Sequence, residues 1–395
     1  MHALPLVIPE IRRLKSLTID APTLPSGLEY FRRNAPLLQR LDIKIATNRR
    51  PDLDGALFCG DISSLRELRL QGVVTHLPWK NLANLQVVEL KPYSHRYGMT
   101  QLLDFFESAP LLHTVSLWCT MPGSSDAPPK RRVPLCHLKD FHIKTNSSPS
   151  TLLHHFHIPP GASVISDFYY DGDGPPFLDH LPESSPDFHN LSHATAVNLR
   201  FDPNRMLVRL SGPSGSLHVL VTRIPWGVAP PYTRDSQIFH SLGHSMLSTI
   251  QSLTISNYQF PKPAQVEECP VFQALSSTNN LRALTLIDCN HLLFVHALDP
   301  EQHPSNFVLC PDMEQLNLHV RRRRRFDLRH VIEMAKNRAS RGARLPSVTC
   351  ANQDGSLAKK QMFELKQHVT HGRYQIGRLP PAWDDVPNMS CGEGE

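Results

Sequence analysis

Apolar residues recur along this chain in one phrase, L-x-x-L-x-L, whose middle apolar position advances by 20 to 27 residues in the first half and by 31 or 32 near the end. In an extended segment successive side chains point to opposite faces, so the alternating part of the phrase places its apolar residues on one face. The clearest copy begins at Leu281 and runs to Asn290. The pattern therefore predicts one short strand per phrase, with a longer return segment between strands.

A phrase of this form at this spacing is typical of leucine-rich repeats, in which stacked units bury one continuous core under a parallel sheet. We predict an α/β fold, an irregular leucine-rich-repeat solenoid of roughly ten to thirteen repeats. A curved parallel sheet would form its concave face, with short helices and loops outside. The apolar positions of the phrases are Leu14/Leu17/Ile19, Leu38/Leu41/Ile43, Leu65/Leu68/Leu70, Leu85/Val88/Leu90, Leu112/Val115/Leu117, Leu138/Phe141/Ile143, Ala194/Val197/Leu199, Ile250/Leu253/Ile255, Leu281/Leu284/Leu286, Met313/Leu316/Leu318 and Leu345/Val348/Cys350.

Two return segments also resemble each other, since residues 31–38 align with residues 105–112 around a shared Ala-Pro-Leu-Leu block. We expect a short helix that carries its aromatic residues inward, and proline ends it because proline cannot continue the helical hydrogen bonds. Ser26 and Thr100 stand where the N-caps of these helices are expected.

The repeats predict a solenoid over residues 1–350, with an irregular, enlarged segment at about 150–235. Within that segment, the prolines and glycines of residues 159–190 indicate turns and loops. Met206–Leu210 and Leu217–Val221 indicate a hairpin or an enlarged repeat around Gly212-Pro213-Ser214-Gly215. A helix is predicted from Asp327, with Gly342 as its C-terminal cap. A helix near 356–369 and a strand near 374–376 would form a C-terminal cap over 351–380, followed by a flexible tail at 381–395.

Composition limits the cellular setting. No apolar run approaches the roughly 18 residues of a membrane span, and residues 3–8 are too short for a secretory signal. The eight cysteines form no C-x-x-C pair, so reduced thiols are favoured over disulfides, with a cytoplasmic or nuclear location. The net charge of +5 is local: residues 321–344 hold ten Lys or Arg against Asp327 and Glu333, so the remaining residues carry a net −3.

A run of five arginines is the most concentrated charged feature: Arg321, Arg322, Arg323, Arg324 and Arg325. It is compatible with a solvated loop, with a nuclear localisation signal, or with a patch that contacts phosphates. No aromatic residues interleave with the arginines to stack on bases. The solvated loop is the favoured interpretation, and a nuclear protein with a nucleic-acid-contacting patch is the alternative function.

The other candidate sites favour structural roles. The histidines at 154, 155 and 157, and those at 240 and 244, lack a nearby cysteine or carboxylate that would complete a familiar zinc set. Gly243-His244-Ser245 lacks the second glycine of a nucleophile elbow, and Gly212–Gly215 lacks the lysine of a phosphate-binding loop. We therefore expect no catalytic site, no metal and no cofactor, and a protein that is not an enzyme.

The remaining candidate is the concave face, formed by the residues between the inward-facing apolar positions. Its first half carries charges of both signs, whereas its later half is neutral and rich in hydroxyl groups. Trp118 is the main candidate, because exposed tryptophan is typical of interface hot spots; packing on a neighbouring loop is the alternative. The expected partner-binding residues are Arg40, Asp42, Glu67, Arg69, Glu89, Trp118 and His142.

The set of phrases resembles the F-box/leucine-rich-repeat-like proteins of mushroom-forming fungi over nearly the whole chain. The residues that carry the likeness are Ile11–Leu17, the two Ala-Pro-Leu-Leu blocks, Ile158–Ala162, Leu210–Gly215, Leu309–Pro311 and Pro380–Asp384. In such proteins a short helical F-box docks an adaptor of cullin-type ubiquitin ligases. The resemblance implies that the repeats select the substrate.

The first repeat begins almost at once, and no F-box segment precedes Arg12. Either an F-box lies upstream of this sequence, or the chain is a relative without one. The first is slightly favoured, because terminal repeats normally carry a polar cap, whereas residues 1–10 are mostly apolar. We therefore expect an unknown protein substrate on the concave face, and a cullin-ligase adaptor as partner only if an F-box lies upstream. We expect no membrane association, and nucleic acid is disfavoured as the main partner.

Overall fold

The structure is a computed structural model of the 395-residue chain. It describes residues 8–22, 31, 33–46, 52–53, 58, 62–75, 82–91, 97–119, 131–145, 150–169, 194–202, 205–213, 215–222, 249–258, 270–303, 307–320, 328–352 and 359–375. The chain divides into two compact units, the first comprising Met1–Val197 with Asp202–Ser241 and the second Asn198–Phe201 with Leu242–Glu395.

The dominant element is a mostly parallel sheet of 15 strands, accompanied by a few short helices. The expected mixed α/β fold is confirmed at this level. In the first unit, the strands of this sheet are β1 (Ser16–Ala21), β2 (Arg40–Ile45), β4 (Glu67–Gln71), β6 (Val87–Lys91), β7 (Thr114–Cys119), β9 (Asp140–Thr145), β11 (Ser163–Tyr169), β13 (Arg205–Gly212) and β14 (Gly215–Thr222). In the second unit they are β15 (Ser252–Ser256), β16 (Ala283–Ile287), β17 (Gln315–Val320), β18 (Ser347–Asn352) and β19 (His371–Gln375).

The fifteenth strand, β12 (Ala196–Asp202), has residues in both units. In the first unit the order is β1-β2-β4-β6-β7-β9-β11-β14-β13, and in the second it is β15-β16-β17-β18-β19. Two small parallel sheets accompany the first unit, formed by β3 (Asp52–Leu53) with β5 (Val74–Thr75) and by β8 (Val133–Pro134) with β10 (Phe156–His157).

Consecutive phrases pair in register, so equivalent apolar residues stand side by side. Leu41 pairs with Leu17 and Leu68, and Leu316 pairs with Leu284 and Val348. Except for Leu17, which is partly exposed on β1 at the end of the strand order, these positions are buried, and the residues between them are more exposed, as alternation along a strand requires. All eleven phrases predicted from the sequence contribute to a strand.

Strands in both units are entered through the same tight turn, in which the first apolar residue of the phrase donates its N–H to the carbonyl three residues earlier. The pairs are Leu14 to Ile11, Leu38 to Ala35, Leu65 to Ile62, Leu85 to Leu82, Leu112 to Ala109, Leu138 to Leu135, Leu281 to Thr278 and Met313 to Cys310. The accepting residue is buried in every pair. The hydroxyl of Thr278 is satisfied there by donating to the carbonyl of Leu275 at 2.8 Å.

Three strands are followed directly by a residue with positive φ: Gly72 (70°), Asn257 (61°) and Asp288 (54°). Glycine, asparagine and aspartate tolerate this left-handed conformation better than other residues. Each donates its backbone N–H to the neighbouring strand, Gly72 to Lys91, Asn257 to Ile287 and Asp288 to His319. The same turn after the strand therefore recurs in both units.

The helices of the first unit are short. Among the described residues they are α1 (Met99–Glu107) and α2 (Ser150–Leu153), with a 3-10 turn at Ile8–Arg13. The N-cap of α1 is Gly98, whose N–H donates to the Gln101 side chain at 3.2 Å. The expectation of Thr100 as N-cap was wrong, because the helix already begins at Met99; Ser26 lies outside the described residues.

Helix α1 delivers aromatic residues to the core, as its alignment with residues 31–38 predicted. Phe106 packs against Phe105, Phe141 and Phe156, with ring centroids 5.3, 6.5 and 4.8 Å away. All four side chains are buried. Because Phe141 lies on β9 and Phe156 on β10, this aromatic cluster joins the return segment to the sheet.

The irregular segment departs from the sequence interpretation at one strand. The reading of residues 159–190 as turns and loops was wrong for β11, which pairs with β9 and β14. The expected hairpin is confirmed, since β13 and β14 pair antiparallel from Arg205↔Thr222 to Gly212↔Gly215.

The second unit contains α3 (Pro270–Ser276), α4 (His291–Leu298), α5 (Leu328–Ser340) and α6 (Lys359–His368), with a 3-10 turn at Pro300–Gln302. Helix α5 begins one residue after the predicted start and buries Leu328, Val331, Ile332 and Ala335. Gly342, the predicted C-terminal cap, has φ +79°. The predicted C-terminal helix and strand are present as α6 and β19, with somewhat different bounds. Among the described residues, no helix is long and apolar enough to cross a membrane.

Candidate functional site

The polar residues between the buried positions form what we call the open face of the sheet. In the first unit, pairing aligns these residues in rows that cross the strands. One row runs Asp42, Arg69, Glu89, and another places Trp118 beside Lys144 and Lys144 beside Asp167. Most of the candidate residues predicted from the sequence therefore stand on one continuous surface.

Trp118 is held between lysines from the strands on either side. The Lys91 Nζ lies 4.6 Å from the centre of the indole ring and the Lys144 Nζ lies 4.7 Å from it. Both distances are within the range of cation–π attraction. The ring of His142 meets the indole edge to face at 6.5 Å. Side chains of both neighbouring strands thus flank Trp118. The loops that follow β6, β7 and β9 lie outside the described residues, so packing of Trp118 on a loop stays a prediction.

Each lysine is also paired with a carboxylate. Lys91 contacts Glu89, and the Lys144 Nζ lies 3.5 Å from Asp167, whose side chain is buried. These ion pairs fix the ammonium groups beside the ring. We call this group the Trp118 cluster, and its members are Glu89, Lys91, Trp118, His142, Lys144 and Asp167.

Within the Trp118 cluster, the pKa of His142 departs from its ordinary value. Burial lowers the pKa of its imidazole below the ordinary value, Asp167 opposes the shift, and Lys91 and Lys144 add to it. The imidazole is therefore neutral at pH 7. Neither the His142 Nε2 nor the Trp118 Nε1 has a hydrogen-bond partner within the described part of the chain.

A second charged group lies on β2 and β4. Arg40 donates two hydrogen bonds to Glu67, at 2.9 and 2.8 Å, and Arg69 lies 3.8 Å from the same carboxylate. The hydrogen bond from Arg40 is the largest cause that holds the pKa of Glu67 below its ordinary value. The carboxylate is accordingly ionised and satisfied at neutral pH, while the Arg69 side chain is about half exposed.

The open face of the second unit is chemically different. Asn317 donates to the hydroxyl of Thr285 at 3.2 Å, in the neutral, hydroxyl-rich part that the sequence predicted. However, Ser256, Ile287 and His319 are buried, although strict alternation along their strands would place them on the open face. Burial lowers the pKa of His319 below its ordinary value. This part of the face is consequently less accessible than the Trp118 cluster.

The arginine run, Arg321–Arg325, lies outside the described residues, and so do His240, His244 and the Gly243-His244-Ser245 segment. His155 is buried and its Nδ1 lies 3.0 Å from the Arg131 carbonyl, a structural hydrogen bond. No group of three or more metal-ligating residues occurs in the part of the chain that the structure describes. Cys136, Cys289, Cys310 and Cys350 are free thiols.

Comparison with known proteins assigns no family to this arrangement. No family model matches the chain, and no curated protein matches it significantly. Any functional inference therefore rests on the residues themselves.

Sequence reasoning found Trp118, His142 and Glu89 but missed Lys91, Lys144 and Asp167 as their neighbours. Lys91 and Lys144 occupy the last exposed position of their phrases, which is equivalent to the position of Trp118. Aligning the phrases column by column would have placed these three together. Asp167 could not have been found in this way, because its strand β11 was not recognised.

Proposed function

We propose that this chain is a leucine-rich-repeat solenoid that recognises a protein partner through the open face of its first unit. The single observation that carries the proposal is the Trp118 cluster, a partly exposed tryptophan fixed between two lysines on a regular sheet. Tryptophan, tyrosine and arginine dominate the binding energy of protein interfaces, especially where their side chains are already ordered.

The repeated entry turn and the in-register apolar positions support the solenoid part of this proposal. A solenoid presents an extended surface for recognition. The resemblance to F-box/leucine-rich-repeat-like proteins of mushroom-forming fungi suggests the role of substrate receptor in a ubiquitin ligase, with a cytoplasmic or nuclear location. Docking to a cullin-ligase adaptor would require an F-box segment upstream of this sequence. The proposal assigns recognition rather than catalysis to the chain.

The test is quantitative capture of partners from an extract of the source cells by the immobilised chain. We expect Trp118→Ala with Arg69→Ala to remove the proteins that the unaltered chain captures. Leu37→Ala with Arg33→Ala is the matched control, since it also removes one exposed apolar side chain and one arginine, but from the turn before β2. This control is expected to capture normally.

Trp118→Ala is expected to cost about 0.5–1 kcal/mol of stability through the lost cation–π contacts, so capture is measured well below the melting temperature. Equal capture by the unaltered chain and the Trp118/Arg69 double variant would exclude this face as the recognition surface.

A further inference from the structure

We infer that two copies of this chain pair edge to edge through β1, so that their sheets join across a two-fold axis at Thr18. The inference goes beyond the proposed function and does not depend on it. It follows from the uncovered apolar side chains at this end of the sheet, from the direction of the free backbone groups of β1, and from the self-complementary sequence of that strand.

The apolar layer is open at β1. Leu14 and Leu17 are partly exposed, whereas the residues at the same two positions of the next five phrases are at most 3% exposed. Strand β1 lies at the end of the strand order and pairs only with β2 among the described residues. The two leucines therefore lack the cover that a further strand gives to the later phrases, and burial of their side chains would stabilise an association at this edge.

The other end of the strand order, at β19, is built differently. The residue of β19 that occupies the position of Leu17 is Gly372, which pairs with Val348. Val348 is buried, and so are Leu365 of α6 and Val369 directly after that helix. Since glycine has no side chain, β19 presents no apolar group at this position. The uncovered apolar surface is therefore a property of β1 and not of end strands in general.

The backbone of β1 directs a row of hydrogen-bonding groups away from β2. The carbonyl oxygens of Lys15 and Ala21 accept hydrogen bonds of 3.1 and 3.2 Å from backbone N–H groups at the two ends of β2. Backbone groups alternate in direction from one residue of a strand to the next, so those of Ser16, Thr18 and Asp20 point to the free edge. An edge of this kind is a template for pairing with another chain.

The sequence of β1 is self-complementary in an antiparallel pair. With the axis at Thr18, this residue faces its counterpart, and Ser16 of each copy faces Asp20 of the other. Each of these pairs joins residues whose backbone groups point outward, so each exchanges two backbone hydrogen bonds. The Ser16 hydroxyl meets the Asp20 carboxylate, and threonine opposite threonine is a favourable cross-strand pair. No like charges are opposed in this register.

The same register also covers the apolar side of the strand. It places Leu17 opposite Ile19 of the other copy, so each partly exposed leucine gains an apolar neighbour. Moving the axis by one residue in either direction leaves two hydrogen-bonded pairs within β1 instead of three. Moving it to Asp20, whose side chain is 70% exposed, would oppose two carboxylates. An axis at Thr18 is accordingly the arrangement that the strand favours.

The first test is the mass of the unaltered chain in solution, measured by sedimentation velocity. The concentration is varied from about 1 µM to about 200 µM, because a single edge strand gives a small interface and a concentration-dependent association. We expect the weight-average mass to rise towards twice that of the monomer and no further, because a two-fold contact closes at a dimer.

Thr18→Pro is expected to abolish this rise in mass. The substitution removes an N–H at the centre of the contact and sets the proline ring against the other copy. Proline is tolerated on an edge strand where the missing N–H faces solvent, so pairing of β1 with β2 should persist, which circular dichroism checks. Thr18→Val is the matched control, because it leaves the backbone donor in place, and it is expected to associate as the unaltered chain does.

Cysteine substitution tests the register. Directly opposed residues of a hydrogen-bonded pair have Cα atoms about 5.5 Å apart, within the range that a disulfide bridges. Thr18→Cys should therefore form a disulfide between two copies on mild oxidation. Ser16→Cys is the matched control, because the two Ser16 residues are four positions apart along the paired strands, about 14 Å. Both are combined with Cys136→Ser, which removes an exposed native thiol.

A chain that stays monomeric over the whole concentration range would overturn the inference. Association of undiminished strength in a folded Thr18→Pro variant would also overturn it, and so would equal cross-linking of Ser16→Cys and Thr18→Cys. Growth beyond a dimer would point instead to a contact between β1 and β19, which does not close. If Thr18→Pro does not fold, the two cysteine variants decide. None of these results bears on capture through Trp118, so the proposed recognition function keeps its own test.

Discussion

Arg338 shows how misleading a charge count can be when it is read from sequence. It belongs to the basic stretch of residues 321–344, yet its side chain is completely buried. Its guanidinium donates to the carbonyls of Leu309 at 2.7 Å and Cys310 at 2.9 Å, and reaches Leu298 at 3.5 Å. Burial lowers its pKa to about 10, so it remains charged at neutral pH. Its role is to satisfy carbonyls that the turn before β17 leaves inside the second unit.

Arg338→Met is therefore expected to destabilise the protein by about 2–5 kcal/mol. Methionine fills much of the same volume but leaves at least two buried carbonyls without a donor, and each unsatisfied group costs roughly 1–3 kcal/mol. Arg341→Met is the matched control, because Arg341 is an exposed residue one turn further along, and a change within about 0.5 kcal/mol is expected for it. Urea denaturation followed by circular dichroism measures both. Similar midpoints for the two variants would show that Arg338 has no structural role.

At the scale of elements, aromatic residues pack the return segments against the strands. Phe106 is the centre of the aromatic cluster that joins α1 to β9 and β10, and it contacts three other rings. Aromatic contacts of this edge-to-face kind add to the free energy gained from burial. The other Ala-Pro-Leu-Leu block is likewise preceded by a buried phenylalanine, Phe31, whose ring centroid lies 5.8 Å from that of Phe58. The helix must end directly after delivering these rings, so that the chain can form the entry turn of the next strand.

Phe106→Ala is expected to lower the unfolding free energy by about 3–5 kcal/mol, since it leaves a cavity inside a closely packed cluster. Leu37→Ala, which truncates an exposed apolar residue of the same unit, is expected to change it by no more than about 0.5 kcal/mol. Chemical denaturation monitored by tyrosine and tryptophan fluorescence compares the two. A small effect of Phe106→Ala would mean that the return helix contributes little to the stability of the sheet.

The sequence predicted strands well where the phrase was complete and failed where polar or small residues replaced it. At β11 the inward positions are Ala162, Val164 and Ser166, with one residue fewer between the first two than in the other phrases. A buried serine breaks the apolar alternation, and the preceding Pro159-Pro160-Gly161 indicates a turn. Pairing with β9 and β14 overrides these local signals, because strand formation depends strongly on tertiary context.

The order of strands in the irregular segment was also beyond the reach of local patterns. The hairpin of β13 and β14 was predicted from its turn residues, but β14 rather than β12 pairs with β11. Which strand lies beside which is decided by long-range packing. The same limit applies to the candidate site: alternation identified the residues of the open face, but only the register brought Lys91, Trp118 and Lys144 together.

At the scale of the whole molecule, the positive charge is not available as one surface. The chain carries a formal net charge of +5, but the open face of the first unit is close to neutral. Arg338 is internal, and Arg344 donates to the carbonyls of Gln367, His368 and Val369 at the end of α6. The stretch that appeared most basic in the sequence therefore has fewer free cations than its count suggests. The positive charge of this stretch is most concentrated in Arg321–Arg325.

Weak binding of nucleic acid, dependent on Arg321–Arg325, is consequently expected. For dT30 at 150 mM salt we expect a dissociation constant weaker than about 10 µM, within the range of non-specific binding. Replacing the five arginines by serine should remove this binding and leave the capture of protein partners unchanged, whereas Trp118→Ala with Arg69→Ala should do the reverse. Fluorescence anisotropy against salt concentration measures the binding of dT30, and the capture experiment measures the binding of protein partners. A submicromolar dissociation constant for dT30 that is lost in the serine variant would instead favour a nuclear, nucleic-acid-binding protein. In that case the logarithm of the binding constant should fall with the logarithm of the salt concentration with a slope near −3.5, as about five phosphate contacts would give. Comparison of both variants in both binding assays thus distinguishes a function that depends on the arginine run from one that depends on the Trp118 cluster.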